Sequence, residues 1–324
     1  MPDAPKVSGP RLLLPFCSLK LKAALLFLGM LAAGLASAQT ALVSVTPDAD
    51  AFVWSLAPTN NYGGGGALSV SGSAAVNGSG QQNGLFDTLM RFPFSNVVTS
   101  LDSTLGSGNW MVTRVRLLLY ETAAPDNSIF NRGVGAFEVF HLTSDNWVEG
   151  TGRPIAPTTD GVTWNDLSGL VNSNLDASLG IYTNAGVEGP IAFTLALAAP
   201  LVADIRQGEE AGLHLTAASP TVGFTFNSRN FSNTNAQPML EVTAAVAPVP
   251  RIDGIVLAGG GVSVTFGTEP NWAYTLQGSD TLATSRPGHW TNLLLVPAQP
   301  VSGNATYLDG ITNRQRFYRL SVSP

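Results

Sequence analysis

Gly135-Ala136-Phe137-Glu138-Val139-Phe140-His141-Leu142 sets Phe137 and Val139 against Glu138 and Phe140, the period of two that a strand imposes on its side chains. Runs rich in β-branched or aromatic residues recur on both sides of it. Before it come Ala51 to Trp54, Ala67 to Val70, Thr88 to Phe94 and Trp110 to Glu121; after a long loop come Ile191 to Leu197, Gly212 to Ala217, Thr221 to Asn227 and Met239 to Ala245. Turn chemistry separates them: Asn60-Asn61-Tyr62-Gly63 running into Gly64 to Gly66, then Asn77-Gly78, Asn83-Gly84 and Asp160-Gly161. A series of about nine to eleven short strands is what a sandwich needs. Only one helical turn is expected, where Pro200 can open a helix, Leu201 and Ile205 share a face at i and i+4, and Gly208 can end it.

The composition agrees. Of 324 residues, 34 are Gly, 21 are Pro and only 12% are charged, while 44% are hydrophobic, so the chain is turn-rich yet can bury real cores. Residues 1–38 stand apart: Lys6, Arg11, Lys20 and Lys22 precede the apolar run Ala23 to Leu35, and Ala36-Ser37-Ala38 follows. That is the pattern of a secretory signal peptide cleaved before Gln39. The apolar run, about 13 residues, is short for a bilayer span, so export is expected, to the periplasm, cell surface or medium, with no membrane attachment after cleavage. Cys17 precedes the main apolar run and is no lipoprotein cysteine.

Without the leader, the 16 basic residues fall to 12 and the 22 acidic ones to 21, a net charge of −9, and every remaining basic residue is arginine. Few, scattered cations argue against nucleic acid as a partner. No cysteine remains, so disulfides, thiolate metal sites and thiol nucleophiles are excluded. The stretch Ala244-Ala-Val-Ala-Pro-Val-Pro250 reads as a linker, dividing a β-sandwich at 39–243 from a small C-terminal β-sandwich module at 251–324. The latter has six or seven short strands and strict alternation in Val262-Ser263-Val264-Thr265-Phe266.

Five stretches in order give the first domain its resemblance: Asp50-Ala51-Phe52-Val53 with Thr59-Asn60-Asn61-Tyr62-Gly63; Leu89-Met90-Arg91-Phe92; Val115 to Tyr120; Asn146-Trp147-Val148-Glu149-Gly150-Thr151-Gly152 with Asp160 to Asn165; and Phe226-Asn227-Ser228-Arg229 with Pro238 to Val242. The domain resembles the DNRLRE-domain proteins, secreted sandwiches that include alginate-type carbohydrate-binding modules. The resemblance implies an all-β, jelly-roll-like fold and an accessory role on secreted proteins, often ones acting on polysaccharides. It implies no reaction. The C-terminal part is similar to short β modules at the ends of secreted bacterial proteins, on Tyr274 to Gln277, Trp290 and Arg316-Phe317-Tyr318-Arg319-Leu320.

No catalytic residue emerges. His141, His214 and His289 lack metal-ligand spacing, and no Gly-x-Ser-x-Gly elbow occurs. A hydrolase would need two converging carboxylates and a lyase a base beside an arginine, for which Tyr120, Arg116 and His141 are the strand-borne candidates. A sugar platform needs aromatic faces with polar neighbours; Trp54, Asn60, Asn61 and Tyr62, around the Asn- and Gly-rich loop, are the candidate ligand-binding set, whereas Trp147 and Trp164 read as core anchors. The negative charge favours a neutral polysaccharide over a polyanion, and a structural or adhesive role without glycan is the alternative. Arg91 and Arg229 can pair with inward carboxylates. Asp145, Glu149, Asp160 and Asp166 cluster in the central loop as candidate ligands for a structural calcium, a hard cation that takes six to eight oxygens, although no EF-hand spacing is present.

Overall fold

The structure is a computed structural model that describes residues 39–324 except 78, 123–132, 259, 282–289 and 311–314. The signal peptide at 1–38, His289 and the second residue of the Asn77-Gly78 turn lie outside the described residues. The fold is all-β and of sandwich type.

Among the described residues, eleven strands form the first part: β1 (Thr40–Val45), β2 (Ala49–Trp54), β3 (Ala67–Ser71), β4 (Phe86–Pro93), β5 (Trp110–Glu121), β6 (Gly135–Leu142), β7 (Ala177–Asn184), β8 (Gly189–Leu195), β9 (Glu210–Ala217), β10 (Gly223–Asn227) and β11 (Met239–Val246). Every pairing is antiparallel. One face runs β2-β4-β9-β6-β7 and the other β1-β11-β5-β8, with the β3–β10 pair linking them through single bridges to β4 and β5. Alternation explains why they close on each other. Phe86, Met90 and Phe92 of β4, Leu117 and Leu119 of β5, Phe137 and Val139 of β6, Leu213 and Leu215 of β9, and Leu240 and Val242 of β11 share one buried core. Between them, outward residues pair across strands, as Arg116 does with Glu241 directly opposite.

Helix α1 (Ser95–Leu105) packs into this core through Val97, Leu101 and Leu105. It departs from the expectation of a single helical turn. β-branched and hydroxyl residues (Val97, Val98, Thr99, Ser100, Thr104) lower its intrinsic propensity, and the hydroxyls of Thr99, Ser100 and Thr104 donate to carbonyls one turn back; burial of three apolar residues at four-residue spacing outweighs that. The expected helix is present as α2 (Ala199–Gln207), with Pro200 in its first turn, Leu201 and Ile205 fully buried, and Gly208 in the left-handed conformation (φ 73°). None of the described helices is long and apolar enough to cross a membrane.

The expected linker at 244–250 is strand as far as Val246, because Ala244, Ala245 and Val246 pair with Val112, Met111 and Trp110. Beyond it, β12 (Ile252–Ala258), β13 (Gly261–Thr268) and β16 (Gly303–Asp309) form one sheet, and β14 (Ala273–Ser279), β15 (Thr291–Val296) and β17 (Phe317–Ser323) the other. Val264, Phe266, Trp272, Tyr274 and Leu276 fill the space between, and Met111, Ala245 and Ala247 pack against them. Arg316 joins Asp309 (2.9 Å) to Asp280 (2.8 Å), and Arg319 lies 4.5 Å from the centre of the Trp290 ring.

Leu101→Ala is expected to cost about 2–5 kcal/mol, the range for emptying a buried leucine site, measured by urea unfolding; a loss under about 0.5 kcal/mol would mean that α1 is not part of the core.

Candidate functional site

The loop between β6 and β7 lies against the outer face of the β2-β4-β9-β6 sheet. Leu142, Trp147 and Val162 bury themselves against Ala49, Ala51, Val53 and Leu89, and Trp164, Leu167, Leu170 and Val171 extend the contact. Trp147 and Trp164 are therefore packing residues, as their motif implied. Arg91 sits 5.6 Å from the centre of the Trp147 ring and donates to the carbonyls of Asp145 (3.3 Å) and Trp147 (3.2 Å), while pairing with Asp48 (3.0 Å) and Glu210 (3.2 Å).

A single carboxamide ties this loop to the β2–β3 turn. Asn61 has no exposed surface; its Nδ2 donates to the carbonyls of Glu149 (2.7 Å) and Val162 (2.9 Å), and its Oδ1 accepts from the N–H of Gly63 (3.2 Å), the N–H of Gly152 (3.1 Å) and the Thr158 hydroxyl (3.4 Å). Its backbone also bridges Thr158. The approach is so close that only glycine fits beside it: a Cβ on Gly152 would lie 1.9 Å from the Asn61 carbonyl oxygen, and one on Gly63 1.9 Å from that of Glu149.

Beside this knot is a set of wholly or partly buried carboxyl groups. Glu149 accepts from Arg229 Nη1 (2.8 Å), from Asn230 Nδ2 (3.2 Å) and from the N–H of Asp50 (3.2 Å). Asp50 is wholly buried, with Oδ2 accepting the Arg229 N–H (2.6 Å) and Oδ1 without a partner. Burial pushes its carboxyl up to about 8, against the Arg229 N–H, which lowers it, and with the Glu149 charge adding to the rise. Burial likewise raises Glu149. Asp145 is raised to about 6, by burial first and then by the charge of Asp204, with the Gly212 N–H opposing.

The far side of the knot opens into a cleft of about 500 Å³. Its lining comes from three separate stretches: Gly64 to Ala67, Arg153-Pro154-Ile155, and Asn227, Asn230 and Phe231, with Thr122 at one side. Ile155 is 90% exposed, an unusual position for an isoleucine. The amides are held in place: Asn227 Nδ2 donates to the Ala236 carbonyl (3.0 Å) and Asn230 Nδ2 to that of Gly63 (2.9 Å). Among the described residues, no carboxylate lines the cleft.

The expected ligand-binding set is brought together but mostly turned inward. Tyr62 is 2% exposed and stacks on Phe52 with centroids 4.6 Å apart; Trp54 stacks on Phe86 (5.4 Å), with its indole N–H donating to the Asn83 carbonyl (2.5 Å); Asn61 is the buried tie. Asn60 is half-buried and donates to the Tyr62 hydroxyl (3.2 Å). None offers an aromatic face to a groove, because Phe52 and Phe86 give both rings a better apolar surface than water does.

The expected calcium ligands do not converge. Asp145 is half-buried near α2 and Glu149 belongs to Arg229. Asp160 accepts from the Thr158 hydroxyl (2.5 Å) and from the Thr151 N–H (3.0 Å) and hydroxyl (2.7 Å), which hold it down at about 2. Asp166 accepts the Thr163 N–H (2.8 Å) and hydroxyl (2.7 Å) in a capping box. Among the described residues, no group of three or more His, Cys, Asp or Glu side chains could hold a metal ion. Of the lyase candidates, Arg116 is engaged by Glu241 and His141 is buried against Asp204 of α2 (2.6 Å). His214, also buried, meets Asp87 (2.9 Å), whose other oxygen accepts the Thr216 hydroxyl (2.9 Å).

No protein-family profile matches the chain, and no curated protein matches it. Solved structures that align with it include a Bacteroides fragilis protein assigned as a β-galactosidase (8% identity, 88% of this chain and 35% of that one, TM-score 0.24). A Parabacteroides distasonis protein assigned as secreted aligns at 11% identity (82% and 85%, TM-score 0.24), and the Ruminococcus gnavus β-glucuronidase at 7% (87% and 41%, TM-score 0.21). The chain spans well under half the length of the two glycosidases.

Asn61→Ala removes five side-chain hydrogen bonds and strands two carbonyls and two N–H groups, so it is expected to cost about 3–5 kcal/mol in urea unfolding; a cost below about 1 kcal/mol would contradict the tie. Asp50 binds its proton more tightly folded than unfolded, so its contribution is full below the ordinary carboxylate value near 3.8 and is lost as pH rises through about 8. Tm is therefore expected to fall by at least about 4 °C between pH 5.5 and pH 8.5, and Asp50→Asn should flatten that slope. A wild-type Tm that rises over this interval would refute the assignment.

Proposed function

We propose that the protein is an exported, non-catalytic carbohydrate-binding accessory protein whose site is the cleft between Gly64 to Ala67, Arg153 to Ile155 and Asn227 to Phe231. The single observation that carries this is the lining: apolar surface from Pro154, Ile155 and Phe231 beside oriented carboxamides and the Arg153 side chain, with no carboxylate among the described residues. A pyranose presents the matching surface, an apolar ring face edged by hydroxyls. Fixing Asn227 and Asn230 through carbonyl partners in advance lowers the ordering cost of binding. The net negative charge of the chain favours a neutral polysaccharide. Export rests on the basic, apolar and Ala-Ser-Ala sequence of 1–38, and the accessory role also has the resemblance to DNRLRE-domain proteins behind it.

A second reading, an extracellular structural or adhesive protein without a glycan ligand, has one observation in its favour. The edge strand β12 exposes Ile255, Val256 and Leu257 in succession (55, 62 and 80%), which a monomer in water normally avoids.

The test is a binding screen of the purified protein against neutral and acidic polysaccharides, with and without EDTA, while watching for sugar release. Binding of a neutral glycan, indifferent to EDTA and without release, is expected, and Phe231→Ala and Arg153→Ala should each weaken it about tenfold, a loss of roughly 1.4 kcal/mol, with Tm unchanged. Absence of binding throughout the panel would replace this reading with the adhesive one, and sugar release would make the protein an enzyme.

A further inference from the structure

We propose that a second cleft, beside the Asn61 knot, is a binding site for a sugar that carries a free amine, an aminohexose unit of an unacetylated amino polysaccharide. The cleft measures about 610 Å³ and is built from short stretches of the β6–β7 loop, 146–148 and 159–162, with residues 166, 169 and 170. It shares no residue with the cleft proposed above. It meets the knot at Val162, whose carbonyl accepts from Asn61 Nδ2 (2.9 Å).

Charge gives the first requirement. Among the described residues the lining holds two carboxylates, Asp160 and Asp166, both exposed, and no cationic side chain. The Thr158 hydroxyl and the N–H and hydroxyl of Thr151 hold Asp160 down at about 2, so it is ionised. Asp166 gives only Oδ2 to the N–H and hydroxyl of Thr163, which leaves Oδ1 to accept from a ligand. Two like charges around one cleft, without a counter-charge in its walls, attract a cation.

Trp147 gives the second. It is 6% exposed, and its Nε1–H has no hydrogen-bond partner among the described residues, whereas a buried indole N–H usually finds an acceptor. The nitrogen has no exposed surface, so a ligand oxygen meets it as the ring edge turns toward the cleft. Val148, Val162 and Leu170 supply apolar surface on which a sugar ring can lie. An aminohexose answers all three features, since the carbon bearing its ammonium has an oxygen on the carbon at either side. A lysine side chain brings an ammonium and an apolar stem but no adjoining oxygen. A neutral sugar brings the oxygen and leaves both carboxylates without a counter-charge. The chain's formal net charge of −6 adds to the attraction for a polycationic glycan.

The experiment is to titrate the isotope-labelled protein at pH 6 with a glucosamine tetramer, an N-acetylglucosamine tetramer and tetralysine, reading affinity and the Trp147 indole N–H resonance by NMR. The glucosamine tetramer is expected to bind and to move that resonance, with the other two at least about tenfold weaker. Val148 is 66% exposed, so Val148→Lys spares the fold while placing a cation in the cleft, and it should weaken glucosamine binding at least about tenfold. Asp166→Asn, whose amide oxygen can keep the Thr163 cap, should do the same. Equal binding of the acetylated tetramer or of tetralysine overturns the inference, as does a glucosamine response that Phe231→Ala removes and Val148→Lys spares, which would put the amine in the first cleft. A neutral glycan bound there with no glucosamine response overturns this inference alone. A glucosamine response that Val148→Lys removes, with no neutral glycan bound, sustains it and removes the first cleft.

Discussion

The buried carboxamide of Asn61 is the constraint on which the outer layer depends. A carboxamide has two donors and two acceptor sites, and here all four are taken up by backbone groups of the β2–β3 turn and the long loop, with the Thr158 hydroxyl a further 3.4 Å contact. Backbone polar groups buried without partners would each cost on the order of 1–3 kcal/mol, so a loop of this length can lie over a sheet only where something satisfies them. Asn61 does so at the point where the loop reverses. The glycines follow from it: Gly150 and Gly161 let the loop backbone approach the carboxamide, and Gly63 and Gly152 let the turn and loop backbones meet, more closely than any Cβ allows. The cleft is a by-product of the same knot, since Gly64 to Ala67 leave it on one side, Arg153 to Ile155 on the other, and Asn230 ties the third stretch to Gly63.

Charge is used inside this architecture for construction. Arg91 serves Asp48, Glu210 and two loop carbonyls, Arg229 serves Glu149, and Arg116 serves Glu241. Threonine hydroxyls and backbone N–H groups hold Asp160 and Asp166. The carboxylates that sequence proximity groups as one metal site are thus engaged in four separate places. Asp50 is the exception in kind, a buried carboxyl kept neutral by its surroundings, which ties the strength of the layer to mildly acidic conditions.

Much of the fold was legible because strands announce themselves by alternation and turns by glycine. β5 and β6 lie over the same residues that their patterns indicate, and α2 carries its proline, its i and i+4 pair and its terminal glycine where expected. Helix α1 was not legible, since its residues favour strands or caps and only tertiary burial makes it helical. β1 and β7 were missed for a related reason: both are edge strands with little buried on either face. The site was read less well. Asn60-Asn61-Tyr62-Gly63 marks the right place, but a polar residue beside glycines reads as a solvated turn when the loop packed over it is about ninety residues away. The density of glycine at 63 to 66 and again at 150, 152 and 161 was the available sign of close backbone approach. Arg153, Asn230 and Phe231 carried no local sign, because the cleft exists only where three distant stretches meet.

The central claim is that a single carboxamide locks the long loop onto the sheet, and residue-resolved amide hydrogen exchange on the native protein tests it most directly. The N–H groups of Gly63 and Gly152, both in irregular segments, should exchange as slowly as those of the core strand β4. If they exchange at the rate of exposed loop amides while β4 stays protected, the lock does not exist and the outer layer is held by its apolar contacts alone.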